Sequence, residues 1–478
     1  MSSNRRKFLR NLTLGTGALV SSWPVLGNDR SEEYQHPAAN SSPSFNMCGY
    51  AAPKLDKVRI GFIGLGMRGP GAVERMSHIE GVEIKALCDL YPERASAAQQ
   101  ILTKAGLPKA KEFSGENGWK QLCDQKDIDL IYITTPWDLH TPIAVYAMNS
   151  GKHAATEVPA ALSIEECWQL VETSERTKKH CMMLENCCYD FFELLTLNMA
   201  RNGLFGEVLH AEGAYNHDLL DLNFSKKGYA NMWRLKENIR MNGSLYPTHG
   251  LGPVAQCMNI NRGDQFDYLT SMSTNDFSMG AKAAELAKTD AFFEPYVNQK
   301  YRGNMNNTLI RTHKGKSILI QHDVSSPRPY SRIHLVSGTK GIAQKWPSPA
   351  KIAFGHSWIK EEEFKSLEEK YTPPIVKHIG EIAKGVGGHG GMDFIMDWRL
   401  IDCLRNGLPL DQDVYDAALW SSVIPLSNQS VNNRSKSMDI PDFTRGNWIT
   451  NKPVDLTLNG GGNTPVRKVE KSKDSKQL

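Results

Sequence analysis

The sequence predicts an α/β protein in two parts: a Rossmann-like, doubly wound parallel sheet, then an α+β domain on a mostly antiparallel, open sheet. Three observations carry this. Short strand-like runs recur at Val58–Ile63, Val82–Cys88, Leu130–Thr134, His153–Thr156 and His180–Leu184, with helical patterns after Gly69 and over Glu93–Ala105, His140–Asn149 and Ile164–Lys178 between them. Strands alternating with helices at this spacing need crossover connections and so a parallel sheet. A glycine-rich turn, Gly64-Leu65-Gly66-Met67-Arg68-Gly69, separates the first strand from the first helix. Beyond Glu185 the pattern changes to longer runs at Glu207–Asn216, Tyr268–Thr274, Leu309–Thr312, Lys316–His322 and Arg332–Val336. His313-Lys314-Gly315 is a tight turn between two of these, which implies antiparallel pairing.

In chain order, residues 1–27 read as a leader, 28–56 as a linker, 57–185 and 186–449 as the two domains, and 450–478 as a tail. Asn4-Arg5-Arg6-Lys7-Phe8-Leu9-Arg10 and the weakly apolar run from Leu12 to Leu26 match the address of the bacterial twin-arginine route for folded proteins. The expected partner is that export machinery and the expected location the periplasm. Gly15, Gly17 and Pro24 interrupt the run, which suits a cleaved signal better than a membrane span. The linker is rich in Ser, Asn, Ala and Pro and reads as flexible. Two late helices are expected over Met392–Asn406 and Val414–Asn428, the second interrupted by Pro425, and disorder from Asn459 onward.

The 478 residues suffice for two domains with sizeable cores. With 56 basic against 52 acidic residues, the net charge of +4 is too small and too dispersed to imply nucleic acid. Nine scattered cysteines lack zinc-site spacing and disulfide density, so they read as core thiols, and no metal is expected. The subunit count stays open, a homo-oligomer included.

A glycine turn alone is weak evidence, but here it follows a strand, opens a helix, and has Asp89 20 residues beyond Gly69 at the end of the next strand. A carboxylate there accepts hydrogen bonds from an adenosine ribose and repels a 2′-phosphate, which favours NAD over NADP. Gly64 and Gly66 allow the backbone to approach a pyrophosphate, whose charge the helix N-terminus favours. Arg68 is the contrary signal, since an arginine in this turn also suits a 2′-phosphate. Thr135-Pro136-Trp137-Asp138-Leu139-His140 follows the Leu130–Thr134 strand, where ligands of such sheets sit, so Trp137 and His140 are expected to face the cofactor. His140 reads equally as a helix-start residue without a role. An exported enzyme cannot readily exchange spent NADH, so its chemistry is expected to restore the cofactor in each turnover.

With Glu157-Val158-Pro159 added, the first domain resembles the glucose-fructose oxidoreductases and inositol dehydrogenases. Those proteins carry Glu-Lys-Pro where this chain has Val158, and an aspartate where it has Leu245; valine can neither donate nor accept the proton that the lysine handles. Glu185-Asn186, Tyr215-Asn216-His217-Asp218-Leu219, Trp233-Arg234, Tyr246-Pro247-Thr248-His249-Gly250 and Pro329-Tyr330 are together similar to glycoside hydrolase family 109, the NAD-dependent alpha-N-acetylgalactosaminidases. That resemblance implies cofactor contacts at Met67, Arg68, Asp89, Trp137, Asp138, Leu139, His140, Glu157, Val158 and Asn186. It implies sugar contacts at Tyr215, Arg234, Tyr246, Pro247, Thr248, His249 and Tyr330. The segment between Tyr215 and Trp233 is shorter than in typical members.

The implied reaction on a glycan or glycoside needs no pair of carboxylates. A hydride leaves C3 of the sugar for NAD, the ketone acidifies C2–H, a base removes that proton, and the aglycone leaves C1. Water then adds and the hydride returns. His249, with an intrinsic pKa near neutrality, is expected to carry the proton beside Tyr246 on a shared turn. Tyr215 is the next base, its phenol needing help from the positive nicotinamide ring, and Tyr330 a donor. Glu185 either assists His249 or binds the cofactor; His217 and His389-Gly390-Gly391 are minor candidates. Without the resemblance, each tyrosine reads as a half-buried strand residue. Two alternatives share most of these features: an exported sugar oxidoreductase, and a non-catalytic sugar or dinucleotide sensor.

Overall fold

The computed structural model describes residues 45–467. The leader and the end of the tail lie outside them. The parallel sheet has six strands in the order β3-β2-β1-β4-β5-β6, with β1 Val58–Ile63, β2 Val82–Asp89, β3 Lys111–Ser114, β4 Leu130–Ile133, β5 His153–Thr156 and β6 Cys181–Met183. All neighbours are parallel. The order reverses across β1 and β4, and ligands bind in the crevice at such a switch point. β1 and β4 are covered on both faces, with Val58, Ile60, Phe62, Leu130 and Ile131 fully buried; each such side chain contributes roughly 1.5–3 kcal/mol. β3 escapes the sequence reading because Lys-Glu-Phe-Ser sits mostly exposed at the sheet edge and carries no apolar run.

The second sheet has eight strands in the order β13-β12-β11-β7-β10-β9-β8-β14, with β7 Val208–Asn216, β8 Phe266–Ser273, β9 Asn306–Thr312, β10 Ser317–Asp323, β11 Leu335–Gly338, β12 Ile342–Gln344, β13 Lys351–Ala353 and β14 Met438–Asp439. Only β7 and β10 pair in parallel; the remaining ladders are antiparallel. Gly315, at φ +80°, closes the turn between β9 and β10. The strand expected from Arg332 begins only at Leu335, because Ile333 and His334 take left-handed backbone, φ 59° and 45°.

Several expectations are corrected by packing. The Val414–Asn432 helix runs straight through Pro425; its neighbours Trp420, Val423, Ile424 and Leu426 are all buried, which outweighs the roughly 3 kcal/mol that an internal proline costs. The linker is structured from Phe45, with Met47 and Ala52 buried and the Met47 N–H donating to the Tyr415 hydroxyl. The described part of the tail packs on the body of the chain: Val466 bridges to Ile79, and the Thr464 carbonyl accepts from Trp398 Nε1. No described helix is long and apolar enough to cross a membrane. All nine cysteines are free, and eight are buried.

Two glycines position the functional region. The Thr248–Cys257 helix lies against β7 so closely that a Cβ on Gly250 would overlap the Ala214 nitrogen, and one on Gly213 would overlap the Gly250 carbonyl. Absence of side chains at this crossing brings His249, in the first helical turn, against Tyr215, near the end of β7.

Candidate active site

A cavity of about 950 Å³ runs from the carboxyl ends of the parallel strands to Tyr215 and His249. At its near end stands the glycine turn. A Cβ on Gly64 would come within 2.7 Å of Thr134 and Thr135 backbone, and one on Gly69 would overlap the Gly64 carbonyl, so both serve the tight crossing from strand to helix. Gly66 differs: its Cβ would meet nothing nearer than Arg94 Nη1 at 3.6 Å and would project into the cavity. The Gly69–Ser77 helix that follows has no acidic residue in its first turn, which leaves its N-terminus open to an anion. This cradle suits a dinucleotide pyrophosphate.

Asp89 accepts the Leu65 N–H at 2.6 Å and the Tyr91 N–H at 3.0 Å. It thereby ties the turn to β2. Arg68 points the other way, with Nε 3.0 Å from Glu157 at the end of β5 and Nη1 3.3 Å from Asp393. Its charge is spent on these two carboxylates. Arg94, 3.4 Å from Asp89, is the guanidinium beside that carboxylate. His140 is buried, its ring nitrogens 2.6 Å from the Pro159 carbonyl and 2.8 Å from the Thr135 carbonyl. Burial favours its neutral form, which donates to one of the two carbonyls, and the ring sits between the loops after β4 and β5 at the cavity wall.

At the far end, His249 Nδ1 lies 2.7 Å from Glu185 Oε1. Glu185 is fully buried. Burial works to raise its carboxyl pKa, but the charge and hydrogen bond of His249, with help from Thr248 and the Cys187 N–H, hold it below the ordinary value. The ring of His249 stands edge-on to Tyr246 at 4.8 Å and to Tyr215 at 5.4 Å. Burial pushes the Tyr215 phenol up to about 12 against the pull of Arg234, and Tyr246 shifts in the same direction for the same cause. Both phenols therefore hold their protons in this state. The Tyr215 hydroxyl is 3.1 Å from His217 Nδ1.

Arg234 is boxed by aromatic rings, its guanidinium carbon 4.6 Å from Tyr246, 5.1 Å from Trp137, 5.2 Å from Tyr229 and 5.7 Å from Tyr215. Nη1 donates to the Tyr229 hydroxyl at 2.7 Å. Nη2 is buried without a protein partner. A buried donor left open in this way calls for an acceptor from a ligand.

Of the residues singled out in the sequence, Gly64, Gly66, Met67, Arg68, Asp89, Trp137, Leu139, His140, Glu157, Val158, Asn186, Tyr215, Arg234, Tyr246 and His249 line the cavity, as do His217 and His389. Gly69, Asp138, Glu185, Pro247, Thr248 and Tyr330 stand outside its lining. Pro247 precedes the helix and Thr248 opens it, so Tyr246 and His249 meet at a helix start rather than on a free turn. Tyr330 sits behind His217, ring to ring at 5.0 Å, its hydroxyl receiving Arg332 Nη1 at 3.3 Å. Leu245, where the dehydrogenases have an aspartate, is core, 1% exposed.

The sequence reading misses Tyr229, Arg94 and Asp393. Tyr229 had one available signal, its place five residues before Arg234. Glu185, Cys187 and His249 also gather a carboxylate, a thiol and an imidazole within 4.8 Å; the Glu185–His249 hydrogen bond accounts for that closeness.

Residues 58–185 match the oxidoreductase family with an NAD-binding Rossmann fold, and residues 189–450 match the glycosyl hydrolase 109 C-terminal domain. A glycosyl hydrolase family 109 protein of Bacteroides fragilis is 52% identical over 420 residues, 84% of this chain and 89% of that one. One from Porphyromonas gingivalis is 49% identical over 454 residues, 91% and 95% of the two chains. Among solved structures, levoglucosan dehydrogenase with NADH and levoglucosan superposes with a TM-score of 0.61 at 18% identity, over 81% of this chain and all of that one. That likeness concerns the fold. The extent and level of the sequence matches place the chain in glycoside hydrolase family 109, on an NAD-binding oxidoreductase fold.

Proposed function

We propose that the protein removes terminal alpha-N-acetylgalactosamine residues through oxidation at C3, elimination, water addition and reduction, with NAD held through the whole cycle. One observation carries this reading: a proton carrier backed by a buried carboxylate, His249 with Glu185, shares one cavity with the glycine turn. When bound, NAD supplies the acceptor for the C3 hydride and its donor on return. His249 removes the C2 proton, exchanges it with solvent, and delivers a solvent-derived proton to C2 when water adds at C1; the C3 hydroxyl proton passes to water as the hydride leaves and is regained on its return, and the aglycone oxygen takes its proton from water. Glu185, 2.7 Å from Nδ1, fixes the imidazole orientation. Tyr246 and Tyr215 act as donors to the sugar hydroxyls, and Arg234 Nη2 donates to the acetamido or developing enolate oxygen. Val158 and Leu245 leave the oxidoreductase lysine and aspartate without counterparts, which supports cleavage over net sugar oxidation. Export by the twin-arginine route to the periplasm belongs to the same proposal, on the strength of Arg5-Arg6 and the apolar run after them.

The test is hydrolysis of a nitrophenyl alpha-N-acetylgalactosaminide without added NAD, run in deuterated water. The expected result is nitrophenol release with deuterium at C2 of the product. Release without C2 exchange rejects the elimination route. No release, with a sugar-dependent rise of NADH absorbance, returns the oxidoreductase reading. Arg234→Met is expected to raise KM for this substrate roughly 30-fold, the worth of a charge-assisted hydrogen bond, while dinucleotide content stays at the wild-type level.

A further inference from the structure

Asp393 lies in the first turn of the Met392–Asn406 helix of the second domain, with its side chain 1% exposed. Four groups converge on it. Asn186 Nδ2 donates to Oδ1. Around Oδ2 stand His389 Nδ1 at 2.9 Å, Arg68 Nη1 at 3.3 Å and Arg75 Nη1 at 3.5 Å. Arg68 and Asn186 both line the cavity yet come from distant places, the glycine turn and the loop after β6. Arg68 is held on its other side by Glu157. One helical turn on, Asp397 takes Arg75 Nε at 2.7 Å and the Tyr132 hydroxyl at 2.8 Å, which docks the same helix under β4.

The sheet order places these groups on one half of the cofactor crevice. Asp89 ends β2, on one side of β1; Glu157 ends β5 and Asn186 follows β6, on the other. Three strand spacings of about 4.8 Å separate the ends of β2 and β5. With the adenosine ribose at Asp89 and the pyrophosphate at Gly66, the nicotinamide half falls on the side of Glu157 and Asn186. Burial works against charge on Asp393, but Arg68, His389 and Arg75 hold it well below the usual carboxylate range.

We infer that Asp393 is a positioning residue for the nicotinamide half of the cofactor: from the second domain it holds Arg68 and Asn186 in place and so sets how firmly the dinucleotide is retained. The inference rests on NAD occupying the cavity and not on which glycoside is cleaved. No assigned cofactor contact includes Asp393, because its carboxylate acts one residue behind the cavity wall.

The experiment compares wild type and Asp393→Asn as purified holoenzymes, at fixed free NAD, by the ADP concentration that displaces half of the bound NAD. ADP shares the adenosine and pyrophosphate contacts and lacks the nicotinamide half. If Asp393 acts on that half, NAD weakens and ADP does not, so the required ADP falls roughly 10-fold or more. A merely structural role loosens both ligands together and leaves the required ADP unchanged; that result, or unchanged binding of both, overturns the inference. Arg68→Met, in which Arg75 and His389 still neutralise Asp393, is expected to show the same split and decides the matter if Asp393→Asn does not fold. Wild-type protein that holds no dinucleotide at all rejects the cofactor reading instead.

Discussion

Replacing His249 by alanine is expected to lower kcat by roughly 10³-fold, about 4 kcal/mol of barrier, while NAD content is unchanged. His249 meets the cavity and Glu185 but stands apart from the glycine turn, so chemistry and cofactor binding separate. The loss follows from what the imidazole does for its neighbour as well as for substrate. In the wild type the Glu185 carboxylate is held below its ordinary pKa against burial, by His249 first among its partners. Its contribution to stability is therefore present above the ordinary glutamate value of about 4.3, and is lost as pH falls through the lowered folded value. Without His249 the fully buried carboxylate loses that partner, and burial drives it toward the protonated form. His249→Ala should thus lose roughly 1–3 kcal/mol of stability near neutral pH, whereas His249→Gln, which can still donate to Glu185, should melt closer to wild type and be equally inactive. Nitrophenol release, heat-released nucleotide and melting curves at pH 4 and 7 check all three. Turnover by the alanine variant within tenfold of wild type would remove His249 from the mechanism.

Gly66→Val is expected to empty the protein of dinucleotide and with it abolish cleavage. A side chain there meets open cavity, with Arg94 Nη1 at 3.6 Å its nearest neighbour, so the empty fold should lose under about 1 kcal/mol. The same branched side chain fills the space a pyrophosphate needs, and NAD affinity should fall roughly 100-fold or more. Gly69→Ala is the control with the opposite outcome: its Cβ overlaps the Gly64 carbonyl, so it should fail in folding before binding is in question. Calorimetric titration with NAD and thermal melts of both variants distinguish the two. An active, nucleotide-free Gly66→Val would sever cleavage from the cofactor.

The first domain was legible because its signals are local. Strand, glycine turn and Asp89 follow within 32 residues from Val58, and parallel strands buried on both faces read as continuous apolar runs. Beyond it, five of the eight strands of the second sheet and the two late helices were legible, and the helix that carries His249 was not. Thr248–Cys257 contains Gly250, Gly252 and Pro253, each a poor helix former, and it forms because Gly250 and Gly213 let it pack on β7. The residues proposed for the sugar end were assigned from family resemblance. Composition and periodicity alone left each tyrosine as an ordinary half-buried residue.

Single positions show the same division. Arg68 as a letter in a glycine turn points equally to a 2′-phosphate; only its contacts with Glu157 and Asp393, 89 and 325 residues away, show where its charge is spent. Pro425 as a letter breaks a helix, yet buried neighbours on both sides carry the helix through it. By itself the sequence determined the fold class, the glycine turn between strand and helix, and the family, because each depends on residues close in the chain or on many matching positions at once. Tertiary structure alone decided which acid stands behind His249, which carboxylates hold Arg68, and that Asp393 meets Arg68 and Asn186 behind the cavity wall. Such pairings join residues tens to hundreds of positions apart, and Coulomb and hydrogen-bond energies act over a few ångströms of space, whatever the separation along the chain.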